Sequence, residues 1–158
     1  MNIGGTFSGA LFIGDGETRR VALWRIWDFE RPALFSVGLN PSTAGKERND
    51  PTIKREIAFA KSWGYGGLFK GNLFDQVTPY PEELEIGRAQ AENDQALREM
   101  RKNTPDVLVC WGHFGDLCNA RVDEVLVYCL GTTKDGWPRH PLYMLATTEM
   151  KLYERGKI

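Results

Sequence analysis

Asn40, Asn72 and His140 carry the side chains in this sequence best placed for polar chemistry at a sheet edge. Asn40 belongs to Gly38-Leu39-Asn40-Pro41-Ser42-Thr43, which follows the apolar run Ala33 to Val37. A buried strand opening abruptly onto Gly, Asn and Pro delivers polar groups to its carboxyl end, where open α/β folds hold their ligands. Proline at the next position pushes Asn40 towards an extended backbone. Its amide donates and accepts at once, so it can hold a water or read a polar ligand edge. Asn-Pro is also a common turn opener, and a capped strand-to-loop turn is the plainer reading. Ser42 and Thr43 add hydroxyls and free backbone amides beside it.

Asn72 leaves an apolar run in the same way, with a strand-end turn as its structural alternative. Phe74, two residues on, has an aromatic face that stacks on a planar ligand or simply fills the core. His140 stands between Arg139 and Pro141, after Gly136-Trp137-Pro138, in a polar, loop-like setting. A neutral imidazole there can donate a hydrogen bond to a developing oxyanion. His113 offers the same chemistry, but its neighbours Trp111 and Phe114 favour a packing role. Asp50 is a helix cap or a site carboxylate. Arg48, Arg55 and Arg139 are solvated or contact phosphate. No P-loop, GxGxxG, paired-carboxylate or Ser/His/Asp pattern is present, so no cofactor is expected.

These residues need elements to position them. Ser8 to Ile13 and Arg20 to Trp27 are β-rich and flank the turn signal Gly14-Asp15-Gly16-Glu17, which predicts an antiparallel hairpin. Leu34 to Leu39 is a short apolar strand of the kind buried on both faces. Asp50-Pro51 predicts an N-cap followed by proline in the first turn, opening a helix with Ile53, Ile57, Ala60 and Trp63 inward and Gly64 ending it. Gly67 to Asn72 is a further strand, and Thr78-Pro79-Tyr80-Pro81 breaks regular structure. Gly87 to Asn103 reads as helix and Val107 to Trp111 as a buried strand. Phe114 to Cys129 reads as helix, with Leu117, Cys118, Val122, Val125 and Cys129 inward, and Leu142 to Ala146 as a last strand. Strands alternating with helices imply a mainly parallel sheet wrapped by helices.

The 158 residues, with no repeat or linker, fit a single domain over residues 1–158. A formal charge of −1 argues against broad electrostatic capture of nucleic acid, though not against a local basic groove. Cys110, Cys118 and Cys129 form no CxxC pair, and buried free thiols in a reducing cytoplasm are expected. With only two histidines, the paired ligands of a zinc site are missing, so no metal is expected. No leader and no membrane-spanning run is recognisable.

Leu23-Trp24-Arg25-Ile26-Trp27-Asp28, Gly38-Leu39-Asn40-Pro41-Ser42-Thr43-Ala44, Asn49-Asp50-Pro51-Thr52-Ile53, Gly64-Tyr65-Gly66-Gly67, Asn72-Leu73-Phe74 and Arg139-His140-Pro141-Leu142-Tyr143 form a motif series. Together they resemble an uncharacterised family of small bacterial and phage proteins, a domain of unknown function. That family is distantly similar to the uracil-DNA glycosylase superfamily. The resemblance implies an α/β fold, a three-layer α/β/α sandwich carrying the N-terminal hairpin as an addition. It also implies recognition of a nucleobase, in DNA or a nucleotide, and hydrolysis of its N-glycosidic bond. Asn40 would position water and His140 would stabilise the departing base, as catalytic residues. Asn72 would read the base, and Gly38, Pro41, Ser42, Thr43, Asp50, Phe74 and Arg139 complete the expected binding set. After His140-Pro141 this chain has Leu142-Tyr143-Met144 rather than the serine-rich loop that pinches DNA. Charged Lys46 to Asp50 replaces an aromatic stacking segment, and the superfamily's iron–sulfur cysteines have no counterpart. A non-catalytic nucleic-acid or nucleotide-binding module is therefore the alternative. A third reading is a phage accessory protein meeting a protein partner through Trp137 and Tyr143.

Overall fold

The computed structural model describes residues 2–112 and 127–154. Gly14 and Gly16 take left-handed φ of 72° and 67° and reverse the chain between β1 (Ser8–Phe12) and β2 (Arg20–Ile26), which pair antiparallel. Glycine accepts this backbone without the Cβ clash other residues meet. β3 (Ala33–Gly38), β4 (Gly67–Asn72), β5 (Asp106–Val109), β6 (Tyr128–Cys129) and β7 (Lys151–Leu152) complete a seven-stranded sheet in the order β1-β2-β4-β3-β5-β6-β7.

The sheet is mixed rather than mainly parallel. Junctions β4-β3, β3-β5 and β5-β6 are parallel, while β1-β2, β2-β4 and β6-β7 are antiparallel. Parallel neighbours require a crossover. Helix α1 (Pro51–Ser62) supplies one between β3 and β4, and α2 (Ala91–Lys102) supplies one between β4 and β5. The hairpin instead lays β2 antiparallel on β4, and β7 returns antiparallel on β6.

α1 forms as its sequence dictates. Asp50 is extended, its Oδ1 accepts from Ile53 N at 2.9 Å, and Pro51 occupies the first turn. At the other end Gly64, at φ 84°, lets Gly64 N reach Lys61 O at 3.1 Å and Tyr65 N reach Ala60 O at 3.0 Å. The buried positions are Ile53, Glu56, Phe59 and Ala60. Ile57 and Trp63, expected inward, are half-buried, and the carboxylate Glu56 takes an inward place instead.

β3, β4 and β5 alternate their side chains between the two helices. Leu34, Leu68 and Leu108 pack with Phe59 and Ala60 of α1. Phe35, Val37, Phe69, Val107 and Val109 pack with Ala96 and Met100 of α2. Each such side chain, fully buried, contributes about 1.5–3 kcal/mol. Gly71 lets α2 approach closely, since a Cβ there would lie 2.5 Å from Leu97 Cδ2.

Three expected elements differ. α2 begins at Ala91 rather than Gly87, because Arg88 is drawn into an ion pair with Asp75 and Gln90 Oε1 accepts from Asp75 N at 3.2 Å. Leu142 to Ala146 is not a strand. Pro141–Tyr143 is one 3-10 turn capped by His140, with Leu142 and Leu145 exposed. Tyr128 and Cys129 lie on β6, not at a helix end, while residues 114–126 of the expected helix, with His113 and Cys118, lie outside the described residues. Cys110 and Cys129 are buried free thiols. Among the described residues no helix is long and apolar enough to cross a membrane, and no three His, Cys, Asp or Glu side chains group as metal ligands would.

Candidate functional site

A cleft of about 410 Å³ opens where β3, β4 and β5 end. Gly38 and Leu39 line it from the first strand, Lys70 and Asn72 from the second, and Cys110, Trp111 and Gly112 from the third. The loop into α1 adds Asn40, Ser42, Asp50, Thr52 and Ile53. Thr78, Pro79 and Pro81 form another side, and His140, Leu142 and Tyr143 a further one. Arg20 enters from the start of β2.

Asn40 is held by one end of its amide. Nδ2 donates to Thr78 O at 2.7 Å, with Pro41 O at 3.2 Å and Gln76 O at 3.3 Å. Only the NH2 end can face three carbonyls, which assigns the amide and leaves Oδ1 as a free acceptor. Asn72 differs. It is 2% exposed, its side-chain amide makes no hydrogen bond to the described residues, and its backbone carbonyl accepts from Asn93 Nδ2 at 2.9 Å. The cleft reaches this amide, so a bound ligand can supply its partners. Gly38 makes room for it, since a Cβ there would lie 2.9 Å from both Asn72 Oδ1 and Lys70 Nζ.

His140 Nδ1 accepts from Leu142 N at 3.3 Å, which places the imidazole proton on Nε2. Burial first, and then the positive charge of Lys70, hold its pKa below the usual histidine value. The ring is therefore a neutral Nε2–H donor at physiological pH. Asp50 is the one carboxylate lining the cleft among the described residues. Its Oδ1 is taken by Ile53 N, and its Oδ2 accepts from Ala44 N at 3.3 Å.

Beneath the cleft lies a charged cluster on the α1 face of the sheet. Lys70 Nζ is 2.6 Å from Glu56 Oε1, 3.3 Å from Ser36 Oγ and 3.6 Å from Cys110 Sγ. Ser36 Oγ and Cys110 Sγ lie 2.9 and 3.3 Å from the same Glu56 oxygen. Burial works against the Lys70 ammonium, but Cys110 and Glu56 outweigh it and raise its pKa. Burial also pushes the Cys110 thiol up to about 12, so it is neutral at ordinary pH and Glu56 is the operative counter-ion. A buried charge persists only when paired and hydrogen-bonded. This cluster supplies both conditions for Lys70.

Arg20 reaches the cleft through an irregularity. The β1-β2 register shifts between Leu11 and Phe12, so Leu11 faces Ala22 while Phe12 faces Arg20. The extra residue, Val21, is a β-bulge, which re-aims the side chains around it. Arg20 N donates to Asp75 O at 2.8 Å, and Nη1 donates to Ala44 O at 2.6 Å.

The cleft thus gathers Asn40, His140, Gly38, Ser42, Asp50 and Asn72 of the expected residues. The other four lie elsewhere. Phe74 is buried in the α2-side core, and Pro41 is buried with its carbonyl accepting from Thr78 N at 3.2 Å. Thr43 is exposed and accepts from Arg48, and Arg139 Nε donates to Thr132 O at 2.9 Å. Arg55, a phosphate candidate by sequence, donates to Met144 O. The residues not foreseen are Arg20, Lys70, Cys110 and Trp111. Lys70 and Glu56 had a legible signal, two opposite charges on faces otherwise apolar; Arg20 had none, because the bulge arises from strand pairing.

No curated protein and no solved structure matches the chain. A family model described as "Protein of unknown function (DUF1643)" matches residues 20–142, the span holding β2 to β5, both α-helices and every residue lining the cleft except Tyr143. The chain belongs to this family.

Proposed function

We propose that the cleft binds a nucleobase and that the protein hydrolyses its N-glycosidic bond, in DNA or in a nucleotide. The observation that carries this reading is Asn72, a buried amide with a donor and an acceptor that no described side chain or backbone group uses. A base edge that alternates donors and acceptors is the complementary partner. The motif order resembling uracil-DNA glycosylases agrees with it, and on this reading the sheet, with one helix against each face, is a three-layer sandwich of that type.

In the proposed reaction the bond between the sugar C1′ and the base nitrogen breaks, and its electron pair leaves with the base. Positive charge develops on the sugar and negative charge on the base. His140 Nε2–H donates to the base as that charge builds, and Asn72 holds the base edge. Asn40 Oδ1 accepts from a water whose oxygen bonds to C1′. One water proton ends on the departing base or in solvent, and the other stays as the new sugar hydroxyl. A neutral donor suits this role, because it stabilises the anion without attracting one in the ground state.

A binding module without turnover is the second reading. Asp50 favours it, since the cleft's one carboxylate among the described residues is committed to capping α1 and bonding Ala44 N. The protein-partner reading keeps Tyr143, which is 81% exposed, but Trp137 is half-buried and offers less surface.

The deciding test is base release from single- and double-stranded oligonucleotides and from nucleotides carrying uracil, hypoxanthine, mismatched bases or modified pyrimidines. Wild type is compared with Asn40→Ala and His140→Ala. Product that falls about 10²–10³-fold with His140→Ala, the size of one lost oxyanion donor, supports the glycosylase. Binding without product on every substrate supports the module.

A further inference from the structure

Two arginines on β2 reach the loop into α1, and they differ in how they are satisfied. Arg25 uses all three guanidinium nitrogens: Nε donates to Asn49 Oδ1 at 2.8 Å, Nη1 to Trp24 O at 2.8 Å and Nη2 to Gly45 O at 2.6 Å. Arg20 is 2% exposed, yet among the described residues only its Nη1 finds an acceptor. Its Nε is buried without a partner. It forms no ion pair with any described residue, and burial lowers its pKa to about 10 against the longer-range attraction of Asp50 and Glu56. The guanidinium is still charged at neutral pH.

A desolvated charge with unfilled donors is costly to keep unless an anion completes it. Nothing in the fold requires Arg20 to be cationic, because its single bond to Ala44 O would be met by a neutral donor. Further unfilled donors stand around the cleft. Trp111 Nε1–H is buried and unpartnered, and the Asn72 amide is free. Neither nearby carboxylate contacts Arg20: Glu56 holds Lys70 through Oε1 with Oε2 unpartnered, and Asp50 accepts from backbone amides. The cleft therefore holds unfilled donors beside a buried cation that no carboxylate among the described residues contacts.

We infer that Arg20 binds a phosphate of the ligand, so that the substrate is a nucleotide rather than a nucleoside or free base. This deepens the nucleobase reading and rests on it. Arginine's planar fork matches phosphate oxygens, and such charge-assisted bonds are about twice as strong as neutral ones. The phosphate belongs either to a free mononucleotide or to a strand.

The test measures affinity of the whole protein for ribo- and deoxynucleosides of uracil, cytosine, adenine and guanine, for their 5′-monophosphates, and for inorganic phosphate. Wild type, Arg20→Gln, Arg20→Lys and Asn72→Leu are compared, with circular dichroism and melting curves confirming folding. For at least one base, the monophosphate should bind wild type about 10- to 100-fold tighter than the nucleoside. Arg20→Gln should erase that ratio and Arg20→Lys should keep part of it. Equal wild-type affinities for nucleoside and monophosphate overturn the inference without involving any variant, and so does a ratio that survives Arg20→Gln. If wild type prefers monophosphates but shows no preference among bases, or a base preference survives Asn72→Leu, the nucleobase reading fails while the phosphate site stands. If no nucleoside or nucleotide binds, inorganic phosphate decides: stabilisation of wild type but not Arg20→Gln supports the phosphate site, and no stabilisation overturns it. A 5′-phosphorylated trinucleotide binding more tightly than the mononucleotide assigns the phosphate to a strand.

Discussion

Replacing Glu56 with glutamine tests the physics beneath the cleft. The Glu56 side chain is fully buried, its Oε1 is 2.6 Å from Lys70 Nζ, and its Oε2 has no hydrogen-bond partner. Glutamine keeps the shape and removes the charge, leaving an ammonium in the sheet without a counter-ion. Removing one member of a buried pair costs about 3–5 kcal/mol. At about 2–4 °C per kcal/mol for a domain of this size, the melting temperature should fall by roughly 6–20 °C. The pH dependence should also change sign. In the wild type the folded pKa of Lys70 is raised above 10.5, so its contribution is full below pH 10.5 and is lost as pH rises through the folded value. In Glu56→Gln burial acts on Lys70 unopposed by that carboxylate. The folded pKa drops below the unfolded one, and stability rises with pH up to about 10.5. Urea unfolding at pH 7, 8, 9 and 10 measures both effects, and the double variant Glu56→Leu/Lys70→Met should recover most of the loss. A cost under about 1 kcal/mol with an unchanged pH slope would refute the argument that Lys70 is buried and held by Glu56.

Asn72→Leu should leave stability unchanged or improve it by about 1 kcal/mol, since a buried unfilled amide is exchanged for an apolar group. The same variant should abolish base binding; urea unfolding beside a nucleotide titration reads both. Because His140 is held below 6.5 by burial and then by Lys70, function that needs the neutral ring should keep its plateau to below pH 6.5. Its acid limb should vanish in His140→Asn, which a pH–rate or pH–affinity profile checks. The depressed value also means that the His140 contribution to stability is present above 6.5 and lost as pH falls through the folded pKa. Cys110, with its thiol near 12, should resist iodoacetamide at pH 8 in the folded protein and react once urea unfolds it, as read by peptide mass spectrometry.

Sequence alone determined the local elements that carry their own chemistry. Asp50-Pro51 specified the start of α1, Gly14-Asp15-Gly16-Glu17 specified the β1-β2 turn, and the apolar runs before Asn40 and Asn72 specified the central strands. Caps, turns and burial periodicity depend on residues within a few positions of one another, so one chain without relatives suffices to read them. That logic also brought Asn40, Asn72 and His140 forward, and one cleft contains all three. It failed at Leu142 to Ala146, where His140 and Pro141 make a 3-10 turn that outweighs the apolar composition. It failed as well for sheet direction, because hairpin and return connections at both margins set antiparallel pairing that no local window records.

Tertiary structure decided which polar groups are satisfied. Asn40 and Asn72 are indistinguishable as strand-end asparagines, yet three carbonyls hold one and none holds the other. Arg20 and Arg25 lie on one strand, and only the bulge at Val21 together with the path of the loop into α1 leaves Arg20 with donors unfilled. Glu56 and Lys70 meet because α1 lies across β4, although they are 14 residues apart in the chain. Composition sets how many donors and acceptors a chain carries. Which of them remain open to a ligand depends on long-range pairing, because each group's demand is met or left by atoms distant in sequence.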